Sequence, residues 1–355
     1  MSQTSELDPD KLLKGFNILL EKEPKIRARE AAKRLGVSEG ELAAARVGKD
    51  TLSLKSDIIE ILKSLEPLGE VMALTRNANC VHERNGVYKN PKFESHGHFN
   101  IGMFVNPDID LRIFVNYWVF CFAMNEPVNG SKPLKSLQFF DREGVAVHKI
   151  YLVTKSDYSA YDALVEKFLC PDQNRVIPVV AYDPPKPFNR DEKVDWQSFR
   201  EEWKAMQDTH DFVGMIRKFN VSREQAYSNI GQDFAYRLPR NLPRKVLDLA
   251  AKKQCEIMVF VGNRGCIQIH TGQVKKLLEA GPWYNVFDPK FQMHLLEEGV
   301  ASAWVTKKPT EDGIVTSVEA FDKKGELIVT FFGKRKPGIS ELELWREIVN
   351  ELPNL

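Results

Sequence analysis

Apolar positions change their spacing along the chain in the same order twice. Over residues 196–219, Phe199, Trp203, Met206, Val213, Ile216 and Phe219 recur at helical steps, which predicts one helix with a single buried stripe. The stripe has one gap, and His210 fills it, four residues after Met206 and three before Val213, so an imidazole is expected on the buried face. Elsewhere the period falls to two. Residues 71–86 and 257–272 each read as strand, turn, strand, and residues 137–144 and 318–325 as strands running into Asp-x-x-Gly turns. Helices are expected within 10–66, near 157–168, within 196–252 and from Ser340, with strands within 69–152 and 256–333.

These matched segments are internal repeats. Cys80 aligns with Cys266 at an offset of 186, Asp141 with Asp322 at 181, and Ser38 with Ser222 at 184. Offsets this steady predict two halves of about 185 residues, far longer than a solenoid repeat. The proline-rich stretch after Tyr182 suits an extended linker, giving expected domains 1–183 and 196–355 with the linker at 184–195, and His210 in the second. In each half helices precede consecutive hairpin-joined strands, so the fold class expected is α+β, two tandem repeats with antiparallel sheets packed as a pseudo-symmetric pair. Neither a P-loop nor a GxGxxG motif follows a strand, which disfavours a nucleotide-binding fold.

Composition narrows the class without naming a function. The 355 residues are 43% hydrophobic and 28% charged with net charge +1, an ordinary globular balance that draws the chain to neither nucleic acid nor anionic lipid. The longest apolar stretch, Ile113 to Ala123, is broken by Asn116 and falls short of the ~18 residues of a bilayer span. The polar, acidic start does not read as a secretory leader, and five dispersed cysteines with no C-x-x-C pair read as reduced thiols. A cytoplasmic location is expected.

Several residues could carry chemistry. His210 either hydrogen-bonds within a core or meets a ligand in an apolar cavity, and its repeat counterpart is the aliphatic Ile26. Glu39 stands opposite Arg223, so the second half gains a cation there, and Arg112 stands opposite His294. Asp110, Arg112 and Phe114 are expected on one strand face, with Arg112 either a paired surface arginine or a charge aimed into a cavity between the halves. Lys307, Lys308 and Arg335 read as cations at strand ends beside aromatics. With Arg223 they could clamp a ligand bearing carboxylates, although each alone is commonly a solvated strand end. His96 and His98 lack a third metal ligand, His82 reads as a polar site facing solvent, and His148 and His270 show no pattern. No Ser-His-Asp order, H-E-x-x-H or G-x-S-x-G motif supports hydrolase chemistry. An alternative of another class is a DNA-binding regulator, since residues 26–45 read as a helix-turn-helix around Gly36. Its second helix, from Ser38, offers few donors to base edges and carries two acids, which weighs against it.

Four blocks in order carry a family resemblance: Ala28 to Ser38, Asp-Leu-Arg-Ile-Phe at 110–114, Asp-Thr-His-Asp-Phe at 208–212, and Phe-Gly-Lys-Arg at 332–335. Over nearly its whole length the chain resembles the bacterial cytoplasmic hemin transport and hemin-degrading proteins, HemS, ChuS and HmuS. That resemblance implies one heme bound where both halves contribute, with His210 as axial ligand to its iron and Arg112 on the opposite face, both in catalytic roles. It implies Phe114 packing near Arg112, and Arg223, Lys307 or Lys308, and Arg335 holding the propionates. Phe332 stands where relatives carry a tyrosine. The implied role is heme uptake and iron acquisition, either by heme-oxygenase-like degradation with an external reductant and iron release, or by delivery to a separate heme oxygenase. The implied partners are an inner-membrane heme importer and a downstream oxygenase or reductase. The residue types fit, because neutral imidazole suits iron, a porphyrin needs apolar walls, and its propionates need cations.

Overall fold

A computed structural model describes residues 7–127, 133–336 and 338–353 of the chain. The first half opens with α1 (Pro9–Lys22), α2 (Ala28–Leu35) and α3 (Glu39–Ala45), then β1 (Thr51–Leu54) and α4 (Ile58–Lys63). Eight strands follow: β2 (Gly69–Arg76), β3 (Cys80–Gly86), β4 (Lys92–His96), β5 (Phe99–Val105), β6 (Asp110–Phe114), β7 (Phe120–Glu126), β8 (Leu134–Phe140) and β9 (Ala146–Ser156). Helix α5 (Tyr158–Phe168) closes the half.

The second half opens with α6 (Trp196–Ala205), α7 (Asp211–Phe219) and α8 (Arg223–Ile230), then β10 (Ala235–Leu238) and α9 (Leu242–Lys253). Its further strands are β11 (Ile257–Gly262), β12 (Cys266–Gly272), β13 (Leu277–Ala280), β14 (Trp283–Phe287), β15 (Phe291–Leu296), β16 (Ser302–Thr310), β17 (Gly313–Phe321) and β18 (Leu327–Gly333). Helix α10 (Glu343–Asn350) ends it, starting three residues after the expected Ser340. The strands β1 and β10 lie inside ranges expected to be helical; at four residues each they are too short to show an alternating pattern.

The chain forms two compact units. The first runs to Thr75, resumes over Arg84–Asp183 and includes Asn263–Ile267; the second comprises Arg76–Glu83, Pro184–Gly262 and Gln268–Leu355. In the first, antiparallel strands run in the order β1-β7-β8-β9-β2 above a core that includes Ile61, Leu68, Val71, Phe139, Ile150 and Tyr161. The second repeats this as β10-β16-β17-β18-β11 above Leu247, Ile257, Val318, Phe331 and Trp345.

The repeated sequence blocks are turns stabilised by the same side-chain chemistry. The carboxamide oxygen of Asn77 accepts from the N–H groups of Asn79 and Cys80 at 3.0 and 2.9 Å; Asn263 does the same for Gly265 and Cys266, both at 3.0 Å. Asp141 and Asp322 each accept two N–H bonds, and Gly144 and Gly325, at φ of 73° and 76°, supply the left-handed residue their tight turns require. Ser38 with Glu41, and Ser222 with Gln225, form capping boxes at the starts of α3 and α8.

At the residue after each of these serines the halves diverge in charge. Glu39, buried on α3, pairs with Lys149 of β9, also buried. In the second unit Arg223 takes the place of Glu39, and its partner is Glu319 of β17 at 3.2 Å. The helix thus carries the acid in one unit and the base in the other, and the sheet partners are not equivalent, since the repeat alignment places Glu319 opposite Gln138 and not Lys149. Lys308 of β16 reaches the second Glu319 oxygen at 3.1 Å. Burial alone would raise the Glu319 carboxyl, but Lys308 and Arg223 override it and hold it down at about 2.

Burial also removes the helix-turn-helix reading of residues 26–45. Six of the seven residues of α3, Glu39, Gly40, Leu42, Ala43, Ala44 and Ala45, are buried, which leaves no face to enter a DNA groove.

Lys149→Met leaves the Glu39 carboxylate buried without its partner and should cost about 3–5 kcal/mol in urea denaturation, most of it recovered by adding Glu39→Leu. Because the Glu319 carboxyl sits lower folded than unfolded, its contribution is complete above the ordinary value of 4.5 and is lost as the pH falls through about 2. Stability measured over that range should fall more steeply with acid in the native protein than in Glu319→Gln.

Candidate functional site

The segment expected to form one helix is two. Helix α6 stops at Ala205 and Met206 turns to extended backbone, because the next residues place their backbone N–H groups on side chains. The Asp211 carboxylate accepts from Gln207 and Asp208 at 3.1 and 3.0 Å, and Asp208 accepts from the His210 N–H at 2.8 Å. The turn is anchored from outside as well, since the Gln207 carbonyl accepts from the Glu311 N–H at 2.9 Å.

This break overturns the expected burial of His210. The residue caps α7 at its N-terminus, and 89% of its side chain is exposed. Its Nδ1 lies 2.6 Å from Asp208 Oδ1. Bonds from the His210 backbone and ring lower the Asp208 carboxyl, so the carboxylate accepts and Nδ1 must donate. In that tautomer the lone pair lies on Nε2, and a carboxylate on Nδ1 is how proteins commonly orient a metal-binding histidine.

The helix surface at Gly214 is open. Gly214 follows His210 by four residues, one turn along the same face, and a Cβ built there meets nothing within 4 Å. A flat ligand bound through Nε2 therefore meets no side chain at this position. Beneath it Phe212 and Met215 are buried, and Phe212 stacks on Tyr227 at 5.6 Å between centroids and 15° between planes.

Two of the expected cations join this framework. The Arg223 guanidinium lies 5.2 Å from the Phe212 ring centroid, and the Lys308 ammonium 4.7 Å. Both converge on Glu319, but Lys308 is buried and also donates to Thr306 at 2.6 Å, whereas the Arg223 side chain is 30% exposed. Lys307 points away from them on the alternate face of β16, above the Tyr236 ring at 5.6 Å, where it lines a cavity of about 340 Å³ with Gln232, Asn350 and Leu352. The lysine pair does not close a strand as expected, because β16 continues through Pro309 to Thr310. Arg335, two residues past β18, lies 3.7 Å from Asp312.

Arg112 and Phe114 belong to the first unit. With Asp110 they occupy the half-buried face of β6, while Leu111 and Ile113 fill the buried face. Arg112 pairs with the Asp110 carboxylate, and Phe114 sits 6.3 Å from Phe99.

The remaining histidines divide by partner. His148 is enclosed between Tyr88 Oη at 2.6 Å and Thr75 Oγ1 at 2.8 Å, and burial pushes it down to about 3, so it is a neutral core residue. His82 is buried as well, contrary to the expected solvent-facing site. The side chain of His96 lies outside what the structure describes. Among the described residues no three His, Cys, Asp or Glu side chains gather around a bare metal ion. Three contributors escaped the sequence reading: Asp208, Gly214 and Glu319. Asp-x-His and His-x-x-x-Gly were visible spacings, but both take meaning only from the break in the helix.

Comparison with known proteins places the chain in a family. A model of the haemin-degrading HemS/ChuX domain matches residues 36–168 and again 220–352. The hemin transport protein HmuS of Yersinia pestis is 39% identical over 330 residues, 92% of this chain and 93% of that protein. The crystal structure of holo-PhuS, a heme-binding protein of Pseudomonas aeruginosa, is 43% identical with a TM-score of 0.95, covering 98% of this chain and all of that one. The heme-degrading enzyme ChuS of Escherichia coli O157:H7 is 36% identical with a TM-score of 0.89, covering 97% and 99%. Two copies of the domain in tandem, and a curated relative matched almost end to end, show that the chain belongs to the haemin-degrading HemS/ChuX family.

Proposed function

We propose that the chain binds heme in the course of heme uptake, with His210 Nε2 as axial ligand to the iron. The carrying observation is an exposed imidazole with one nitrogen fixed by Asp208, one helical turn from the open surface at Gly214. The donor set fits, because one imidazole suits heme iron. The printed roles of relatives, hemin transport for HmuS, heme binding for PhuS and heme degradation for ChuS, point the same way.

Within this reading each residue has a defined task. Asp208 holds the Nδ1 proton, fixes the ring plane and raises the basicity of Nε2. Arg223, partly exposed, presents its guanidinium to a propionate, and Lys307 and Arg335 are further proposed propionate partners. Lys308 acts through Glu319. Arg112, permanently charged and oriented by Asp110, is assigned to stabilising negative charge at the ring, with Phe114 packing beside it. Heme supplies redox chemistry that the side chains lack. Electrons for degradation come from a separate donor, since the chain carries no dinucleotide-binding motif.

Titrating hemin into the purified protein should give a ferric heme spectrum at one-to-one stoichiometry. His210→Ala should change or weaken it, and an unchanged spectrum sinks the ligand assignment. Asp208→Asn should lower affinity about 10–100-fold with the ligand retained. Gly214→Leu, which crowds the surface one turn from the imidazole, should lower it at least about tenfold, or ~1.4 kcal/mol, without altering the unliganded fold. Ascorbate in air then separates degradation from carriage. Soret loss with iron release that catalase leaves untouched marks degradation, whereas loss abolished by catalase marks a carrier attacked by free peroxide.

A further inference from the structure

We propose that Glu319 is a built-in counter-ion for Arg223, holding the guanidinium until a ligand carboxylate displaces it, and so sets how strongly the site prefers a porphyrin with free propionates. This rests on the heme reading above and adds to it a specificity-determining residue that does not itself touch the ligand.

Two cations meet one carboxylate, which leaves a surplus positive charge at the edge of an aromatic cluster. Glu319 Oε1 receives Lys308 Nζ at 3.1 Å and Ser317 Oγ at 3.1 Å, and Oε2 receives Tyr227 Oη at 2.8 Å and Arg223 Nη1 at 3.2 Å. Removing Arg223 from this set still leaves the carboxylate one ammonium and two hydroxyl donors. Lys308 and Glu319 are 5% and 2% exposed, so neither can turn outward, whereas Arg223 is 30% exposed. Arg223 also uses one nitrogen only: Nη1 bonds Glu319 and Tyr227, and among the described residues neither Nε nor Nη2 has a hydrogen-bond partner. A guanidinium held at one corner keeps the planar fork that grips a carboxylate in two-point fashion. Its position is suitable as well, since it lies over Phe212, two residues from His210.

The other half supplies an internal contrast. Glu39 and Lys149 match one acid with one base, and both side chains are under 10% exposed, so that pair is closed and has no cation left for a ligand. The reversal of sign between the halves, with the added lysine, therefore produces one releasable arginine rather than a second sealed bridge.

The test compares hemin with hemin dimethyl ester, which keeps the ring and iron but has no free carboxylates, using the full-length protein. The readout is the ratio of the two dissociation constants, ester over acid. Glu319→Gln removes the competing carboxylate and should raise the ratio about tenfold over the native protein, the order expected for one freed charge-assisted bond. Lys308→Met leaves Arg223 as the only cation on Glu319 and should lower it; Arg223→Met should bring it towards one. Loss of packing alone would weaken both porphyrins alike and leave the ratio fixed. A ratio that is the same in native, Glu319→Gln and Lys308→Met proteins, or that moves in one direction in both variants, overturns the proposal. If Glu319→Gln does not fold, the Lys308→Met and Arg223→Met arms decide by the same criterion. Failure of native protein to bind either porphyrin through a histidine would reject the heme reading, a different outcome from binding with an indifferent ratio.

Discussion

The bonds from backbone N–H groups to Asp208 and Asp211 determine where His210 points. A helix continuing past Ala205 would need the N–H groups of the next residues to reach carbonyls one turn back. The carboxylates of Asp208 and Asp211 take the N–H groups of residues 207, 208 and 210 instead, so the helix stops and a new one starts with its cap outside the core. Exposure of the imidazole and its fixed tautomer follow from that competition. Asp208 does two jobs with one oxygen, ending the continuity of the helix and holding the ring, so the local fold and the proposed coordination are not separable.

The second organising contact is the ion pair beneath each pair of short helices. A charge buried at the first residue of a helix must meet its opposite on the sheet, because an unpaired ion there would cost several kcal/mol. The sign of the pair is free, however, and the two halves use opposite signs. The reversal has electrostatic consequences. An acid on the helix faces its base inside the unit, whereas arginine, longer and forked, can satisfy the sheet with one nitrogen and still reach the surface.

Much of the architecture was legible because turns reuse residue types that have few substitutes. Asn77 and Asn263, Asp141 and Asp322, and Ser38 and Ser222 each hold backbone N–H groups with a short polar side chain, and their spacing betrayed the duplication. The β6 face carrying Asp110, Arg112 and Phe114 was legible from alternation alone. The placement of His210 was not. Periodicity records which residues are apolar, and it joins Phe199, Trp203 and Met206 to Val213, Ile216 and Phe219 as one stripe, whereas α7 buries Phe212 and Met215 and leaves Val213, Ile216 and Phe219 only partly covered. The interruption is written in aspartates, whose weak preference against helix interiors is easily outvoted in a pattern count. Lys307 and Lys308 were read together as neighbours in sequence, although neighbours in a strand face opposite ways, one to a cavity and one to a carboxylate.

Duplication explains why a site could arise in one half without disturbing either core. The strands and helices of each unit are tied by core packing, where a change of volume is felt at once. The starts of the short helices are not: a capping serine satisfies the backbone there whatever follows it, and the next side chain needs only a partner of opposite charge. The same freedom applies just before α2 and α7, where Ile26 packs against the first unit's helices while His210 turns to solvent. A pair of copies whose turns are fixed and whose helix starts are permissive can keep one sealed and let the other acquire an exposed imidazole and a half-released guanidinium. The proposed contacts of His210 and Arg223 therefore stand at the starts of α7 and α8, where the backbone is capped and the side chain that follows needs only a partner of opposite charge or solvent.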